Sequence, residues 1–221
     1  MAQWQLKHGE IIADFLSFLN AQEEDFVLKG GTALSQCYGL TRFSEDIDLD
    51  GTKRILGDIV EDFCSKRGYR FRVAKDTETV QRYMIDYGGS YKPLKVEASY
   101  RKKIIRDSEV TTIEGIKVYD IDSLCLMKSL AYAGRDRIRD LYDLAFIINT
   151  FYDDLAEGTI FSVQNSLAEK GIEQFDYLIE TQSDELIDKD KLASDFLDMH
   201  GKLGLLVDGE IESIQHPNDT P

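Results

Sequence analysis

Asp46 and Asp48 stand two apart in the run Glu45-Asp46-Ile47-Asp48-Leu49-Asp50, which from Asp46 onward alternates strictly between acid and aliphatic. Such alternation is strand periodicity, so both carboxylates leave one face of a sheet while Ile47 and Leu49 anchor the other. Two like charges held that close repel. A divalent cation removes the conflict, and magnesium in particular takes one or two carboxylates together with phosphate oxygens of a substrate. Upstream, Phe26-Val27-Leu28-Lys29 reads as a short buried strand, followed by Gly30-Gly31 and a helix-compatible run from Thr32 to Tyr38. A helix opening at Thr32 or just after it would present unpaired backbone N–H groups at the positive end of its dipole, and glycine lets a phosphate come close. An anion cradle and an acidic pair for the anion's metal are the two halves of a phosphoryl-transfer site. The expected third piece is a carboxylate on a neighbouring strand. Glu97, in the strand-like segment Lys95-Val96-Glu97, is preferred for it over Glu78, Asp86 and Asp50; it would complete a two-metal site and accept the proton of an attacking hydroxyl.

Other readings of these residues are weaker. Asp46-Ile47-Asp48-Leu49-Asp50-Gly51 opens like a calcium-binding loop, but the twelfth position, where a bidentate Glu belongs, is Gly57. Gly30-Gly31 is followed by neither a G-K-[ST] nor a G-x-G-x-x-G spacing, which disfavours P-loop and Rossmann chemistry. A Gly-Gly turn or an acidic strand alone is common; their joint occurrence in this order is what points to a site.

The elements that must position these groups follow from periodicity. Residues 3–20 carry a helical stripe of Leu6, Ile11, Ile12, Phe15, Leu16 and Leu19. A second helix is expected from about Lys53 to Arg67, and Tyr69 to Lys75, Thr79 to Tyr87 and Leu94 to Tyr100 read as strands between turn signals. With the first two strands they make a mixed sheet. From Asp122 onward the spacing is helical, with Leu124, Met127, Leu130 and Ala131 expected on one buried face and Leu141, Leu144, Ala145 and Ile148 on another. The chain is expected to end in a frayed polar segment at 216–221.

A hydrophobic fraction of 43% supports a packed core over 221 residues, enough for one large or two small domains. Cys37, Cys64 and Cys125 are odd in number and unpaired in spacing, which argues for a reducing cytosol and against a disulfide framework or thiolate zinc site. The histidines are scattered and receive no site role. Neither a signal peptide nor a membrane span is expected. The net charge of −15 looks hostile to nucleic acid, but residues 151–221 hold 17 acids against 4 lysines, leaving the first 150 residues near neutrality. Basic clusters at 101–106 and 135–139 read equally well as solvated faces and as phosphate-binding surfaces.

The run Leu28-Lys29-Gly30-Gly31-Thr32-Ala33-Leu34, then Arg42-Phe43-Ser44-Glu45-Asp46-Ile47-Asp48-Leu49, resembles the AbiEii/MenT family of toxin nucleotidyltransferases within the DNA polymerase beta-like superfamily. Lys128 and the later Arg139-Asp140-Leu141-Tyr142-Asp143-Leu144 are similar to that family's helical motif. The resemblance implies an α/β (α+β) fold, with a mixed-sheet nucleotidyltransferase core over residues 1–120. A helical domain over 121–221, acidic towards its end, would contribute to the nucleotide cleft. It implies that Gly30, Gly31, Thr32 and Ser44, with Lys29 and Arg42 from the same runs, lie near a nucleoside triphosphate. Asp46 and Asp48, with Glu97 as third carboxylate, would hold Mg2+; Lys128 would neutralise phosphate charge, and Asp140 would belong to the same cleft. Arg139 and Asp140 read alternatively as a cap and pair on their own helix. The implied activity is transfer of a nucleoside monophosphate from an NTP to RNA, tRNA foremost, by a cytoplasmic toxin with a cognate antitoxin. Nucleotidylation of a protein or small molecule, or nucleotide binding without turnover, are the alternatives.

Overall fold

A computed structural model describes residues 2–22, 25–89 and 91–206; the polar end expected at 216–221 lies outside the described residues. The chain divides into two compact units, the first ending at Asp120 and the second starting at Ile121.

The first unit is a seven-stranded mixed sheet with three helices. In chain order it runs α1 (Gln3–Asn20), β1 (Val27–Lys29), α2 (Gly30–Cys37), β2 (Asp46–Asp50), α3 (Leu56–Arg67), β3 (Arg70–Thr77), β4 (Val80–Asp86), β5 (Leu94–Ser99), β6 (Val110–Ile113) and β7 (Ile116–Tyr119). Across the sheet the order is β3-β4-β5-β2-β1-β7-β6. The pairs β2–β5 and β1–β7 are parallel, the rest antiparallel. Strand β2 is central, and its alternation is realised as expected: Ile47 and Leu49 are fully buried while Asp46 and Asp48 face out. Ile12, Phe15 and Leu16 of α1 and Val60 and Phe63 of α3 join them in the core, with Phe15 and Phe63 in an edge-on ring contact at 5.1 Å.

Two details of this unit depart from expectation. Helix α2 begins at Gly30, two residues before Thr32, because Gly30 takes a φ of +77° that turns the strand directly into the helix. The β6–β7 hairpin was not anticipated. Its turn is Glu114-Gly115, with both residues at positive φ, and glutamate is not among the residues that announce such a turn in a sequence.

The second unit is helical: α4 (Ile121–Gly134), α5 (Ile138–Phe151), α6 (Glu157–Lys170), α7 (Glu173–Thr181) and α8 (Lys189–Lys202). Helix α4 packs on α5 and α6, and α5 on α8. The expected face of α5 is buried at Leu141, Leu144, Ala145 and Ile148, but that of α4 is met only in part. Leu124 is buried and Met127 and Ala131 are half-buried, whereas Leu130 is 62% exposed, and α4 also buries Cys125, Ser129 and Tyr132. The reason is polar. Ser129 hydrogen-bonds Ser166 at 2.8 Å and Ser162 at 3.1 Å on α6, so a hydroxyl ladder joins these helices where leucine packing was anticipated.

No described helix is long and apolar enough to cross a membrane. All three cysteines are free thiols. Burial pushes Cys37 and Cys64 up to about 11 and Cys125 up to about 12, because a thiolate is penalised away from water. A raised thiol pKa leaves almost no thiolate at pH 8. Iodoacetamide at pH 8 is therefore expected to label the native protein far more slowly than a free cysteine peptide, and unfolding in urea is expected to restore normal labelling, as read by mass spectrometry.

Candidate active site

The parallel register of β2 and β5 sets Asp46 opposite Lys95 and Asp48 opposite Glu97, while antiparallel β1 sets Lys29 opposite Asp48. Residues opposite one another share a face, so five charged side chains crowd one patch of sheet. The carboxylates of Asp46 and Asp48 are a little over one third exposed, and the Lys95 ammonium lies 3.0 Å from the first and 3.2 Å from the second. One cation is thus shared by both. Burial alone would lower the Lys95 pKa, but the two carboxylates outweigh it and hold it above the ordinary lysine value.

The glycine turn meets this pair directly. A Cβ on Gly30 would stand 3.3 Å from Asp48 Oδ2, so the first turn of α2 and the acidic pair are neighbours in space. Gly31 lies tight against its neighbours: a Cβ there would fall 2.5 Å from Arg42 Nη2 and 3.0 Å from Ser44 Oγ, so the guanidinium would have to move. Arg42 is only 6% exposed and donates from Nη1 to the Phe43 carbonyl, which places a buried positive charge against the helix start. The Thr32 hydroxyl donates to the Asp46 carbonyl and lies 2.8 Å from the Ser44 hydroxyl, tying helix, loop and strand together. Oriented N–H groups, the helix dipole and Arg42 combine to favour an anion here.

Other expected residues are engaged differently. Lys29 gives its charge to Asp50, which is buried and also accepts from the Tyr119 hydroxyl at 2.9 Å. Asp50 is therefore committed inside the sheet. Asp86 pairs with Arg70, and Glu78 stands on the exposed β3–β4 turn. Glu97 remains in register with Asp48, but its carboxylate is held by Arg82 from β4. Among the described residues no group of three His, Cys, Asp or Glu side chains is gathered as a metal site. The donor set that fits a divalent cation is thus Asp46 with Asp48, two hard oxygen donors that already share one positive charge.

In the helical unit, Lys128 and Asp140 do meet. Lys128 Nζ lies 3.3 Å from Asp140 and 2.5 Å from Asp143, and Arg135 clasps Asp140 through Nε at 2.7 Å and Nη2 at 3.1 Å. Asp140 is 2% exposed and Asp143 fully buried. Arg139 bonds Asp184 instead, so the sequence alternative pairing Arg139 with Asp140 is not what forms.

Three participants were missed from sequence. Lys95 has no signal of its own in the sequence, because its place depends on strand register. Asp143 lies three residues after Asp140, on the same helical face, which is a readable signal. His8 is completely buried: its Nδ1 meets the Tyr87 hydroxyl and its Nε2 the Glu45 carbonyl, both at 2.7 Å, inside a ring of Trp4, Phe43 and Tyr87. It fixes the peptide that leads into Asp46.

A mixed sheet whose central strand sets paired aspartates against a glycine-started helix defines a nucleotidyltransferase. The sequence profile described as nucleotidyl transferase AbiEii toxin, type IV toxin–antitoxin system, matches residues 15–208, and the chain belongs to that family. Among solved structures it is similar to JHP933 from Helicobacter pylori, at 26% identity and a TM-score of 0.78 over 99% of this chain and 100% of that one. It is also similar to a candidate nucleotidyltransferase from H. pylori, at 28% identity and a TM-score of 0.76 over 93% and 97% of the two chains. No curated protein sequence matches it.

The buried pairs of the helical unit yield a stability prediction. Removing one partner of a buried ion pair strands the other charge, at a cost of about 3 to 5 kcal/mol. Asp143→Ala leaves Lys128 its second partner, Asp140, and is therefore expected to destabilise the protein by less than that, about 1.5 to 3 kcal/mol, measured by urea denaturation.

Proposed function

We propose that the chain transfers a nucleoside monophosphate from a nucleoside triphosphate to an RNA acceptor, tRNA foremost, releasing pyrophosphate, as the toxin of a toxin–antitoxin pair. The observation that carries this reading is the contact of Gly30 with Asp48 beside a cation shared by Asp46 and Asp48. An anion-favouring turn and a cation-favouring pair that touch are suited to a polyphosphate and its metal.

In this reading Gly30 and Gly31 present backbone N–H groups to the triphosphate, with Ser44 and Thr32 hydroxyls beside them and the Arg42 charge behind. Asp46 and Asp48 would hold Mg2+, which when bound neutralises phosphate charge as a Lewis acid. Lys95 competes with that ion for the same oxygens and keeps the two carboxylates together in its place. The acceptor hydroxyl oxygen bonds the α-phosphorus, the bond to pyrophosphate breaks, and the hydroxyl proton passes to a carboxylate; Glu97, next to Asp48 across the strands, is the assigned acceptor.

Incubation with magnesium, each labelled triphosphate and total tRNA is expected to label RNA, and Asp48→Asn to lower the rate about a hundredfold or more while leaving the thermal transition intact. Label confined to protein or to a small solute would reassign the acceptor. Lys95→Met is expected to tighten Mn2+ binding several-fold by removing the competing charge, read by Mn2+ paramagnetic resonance in the absence of nucleotide.

A further inference from the structure

The register of the sheet extends the active face well beyond Asp46 and Asp48. Across β2, β5, β4 and β3, one row reads Asp48, Glu97, Arg82, Lys75, and the next reads Asp46, Lys95, Met84, Arg72; Arg70 follows opposite Asp86. Residues directly opposite share a face, so the surface that starts with two acids at β2 becomes basic at β4 and β3. The reverse face of β4 and β5 is closed by core, with Tyr83, Ile85, Leu94 and Val96 buried. Helix α3 lies on that reverse face: it packs against β3 and β4, and its Gly57 meets the Tyr83 hydroxyl. The row of cations is therefore on the catalytic side.

Direction follows from the chemistry. Helix α2, whose start is assigned to the triphosphate, contacts β1, β2 and β7. Displacement at the α-phosphorus is in line, so the acceptor hydroxyl arrives from the side opposite the leaving pyrophosphate. That side is the one across β5, towards β4 and β3. From Asp48 to Lys75 there are three strand spacings, about 14 Å in all. The whole of β3 is exposed, and no described residue pairs with Arg72 or Lys75, whereas Arg82 and Arg70 are answered by Glu97 and Asp86. Two unneutralised cations at the end of a path leading from the acidic pair suit a chain of phosphates.

We infer that the β4–β3 surface, through Arg72 and Lys75 with Arg82 nearer the acidic pair, binds the phosphate backbone of the acceptor RNA strand as its end enters the site. The inference rests on the RNA-acceptor reading above and deepens it. It explains how a chain of net charge −15 holds RNA: the contact is local and basic, and the acidic excess lies elsewhere in the sequence. Basic residues on an edge strand also deter sheet-to-sheet pairing, a role indifferent to RNA.

The test is the double variant Arg72→Gln/Lys75→Gln in the full chain, with Lys66→Gln on α3, a charge removed from the reverse face, as a control. Binding of fluorescent tRNA is measured from 50 to 200 mM salt, and nucleotide binding is measured in parallel. Each lost phosphate contact on a single strand reduces the slope of log affinity against log salt by about 0.7. The expected result is weaker tRNA binding with a slope shallower by about 1.4, unchanged nucleotide affinity, and a control that behaves as the wild type. If the wild type binds and labels tRNA but the double variant keeps its affinity and slope, the backbone path is wrong and the transferase reading stands. If the wild type binds no RNA while transferring nucleotide to another acceptor, both fail together.

Discussion

Two carboxylates pointing the same way from alternate positions of one strand repel, and most of the first unit serves to hold them there regardless. Ile47 and Leu49 are driven into the core by the hydrophobic effect, and each buried aliphatic side chain is worth about 1.5 to 3 kcal/mol, so the intervening aspartates have no freedom to turn away. Parallel pairing with β5 then delivers Lys95 to the oxygens of both. The charge conflict is stabilised by a cation from the chain itself, and the same arrangement makes the position receptive to a stronger one.

The rest of the patch is organised around that pair by steric exclusion. A side chain at Gly31 would have to displace the Arg42 guanidinium and crowd Ser44, and Gly30 approaches Asp48 closely enough that a methyl group would press on its carboxylate. The helix start is consequently fixed against the acids. Lys29 contributes indirectly: by satisfying Asp50 inside the sheet it leaves Asp46 and Asp48 as the outward-facing members of a three-aspartate strand.

Much of this was legible in the residues. Alternation in 46–50 announced both the strand and the shared face, and Gly30-Gly31 announced the turn. Strand order and register were not legible, because they depend on long-range pairing; hence Glu97 was found as a carboxylate but Lys95, its neighbour by two, was passed over. The α4 face failed in part for a related reason. Hydrophobic periodicity counts Leu130 as interior, yet the fold buries Ser129 and leaves the leucine outside, because satisfied hydrogen bonds can make a polar position an interior one. Lys128 shows the same logic with charge: two buried carboxylates hold its ammonium within the helical unit.

The bond from His8 to the Glu45 carbonyl ties the opening helix to the strand that carries the paired aspartates. The family profile begins at residue 15, so nothing in the shared pattern flags this imidazole. Yet it grips the peptide immediately ahead of Asp46, enclosed by aromatic rings from three separate segments. A shortened version of the polypeptide trimmed to the span of that profile would retain Asp46, Asp48 and Glu97 and still lose the clamp on the peptide ahead of them.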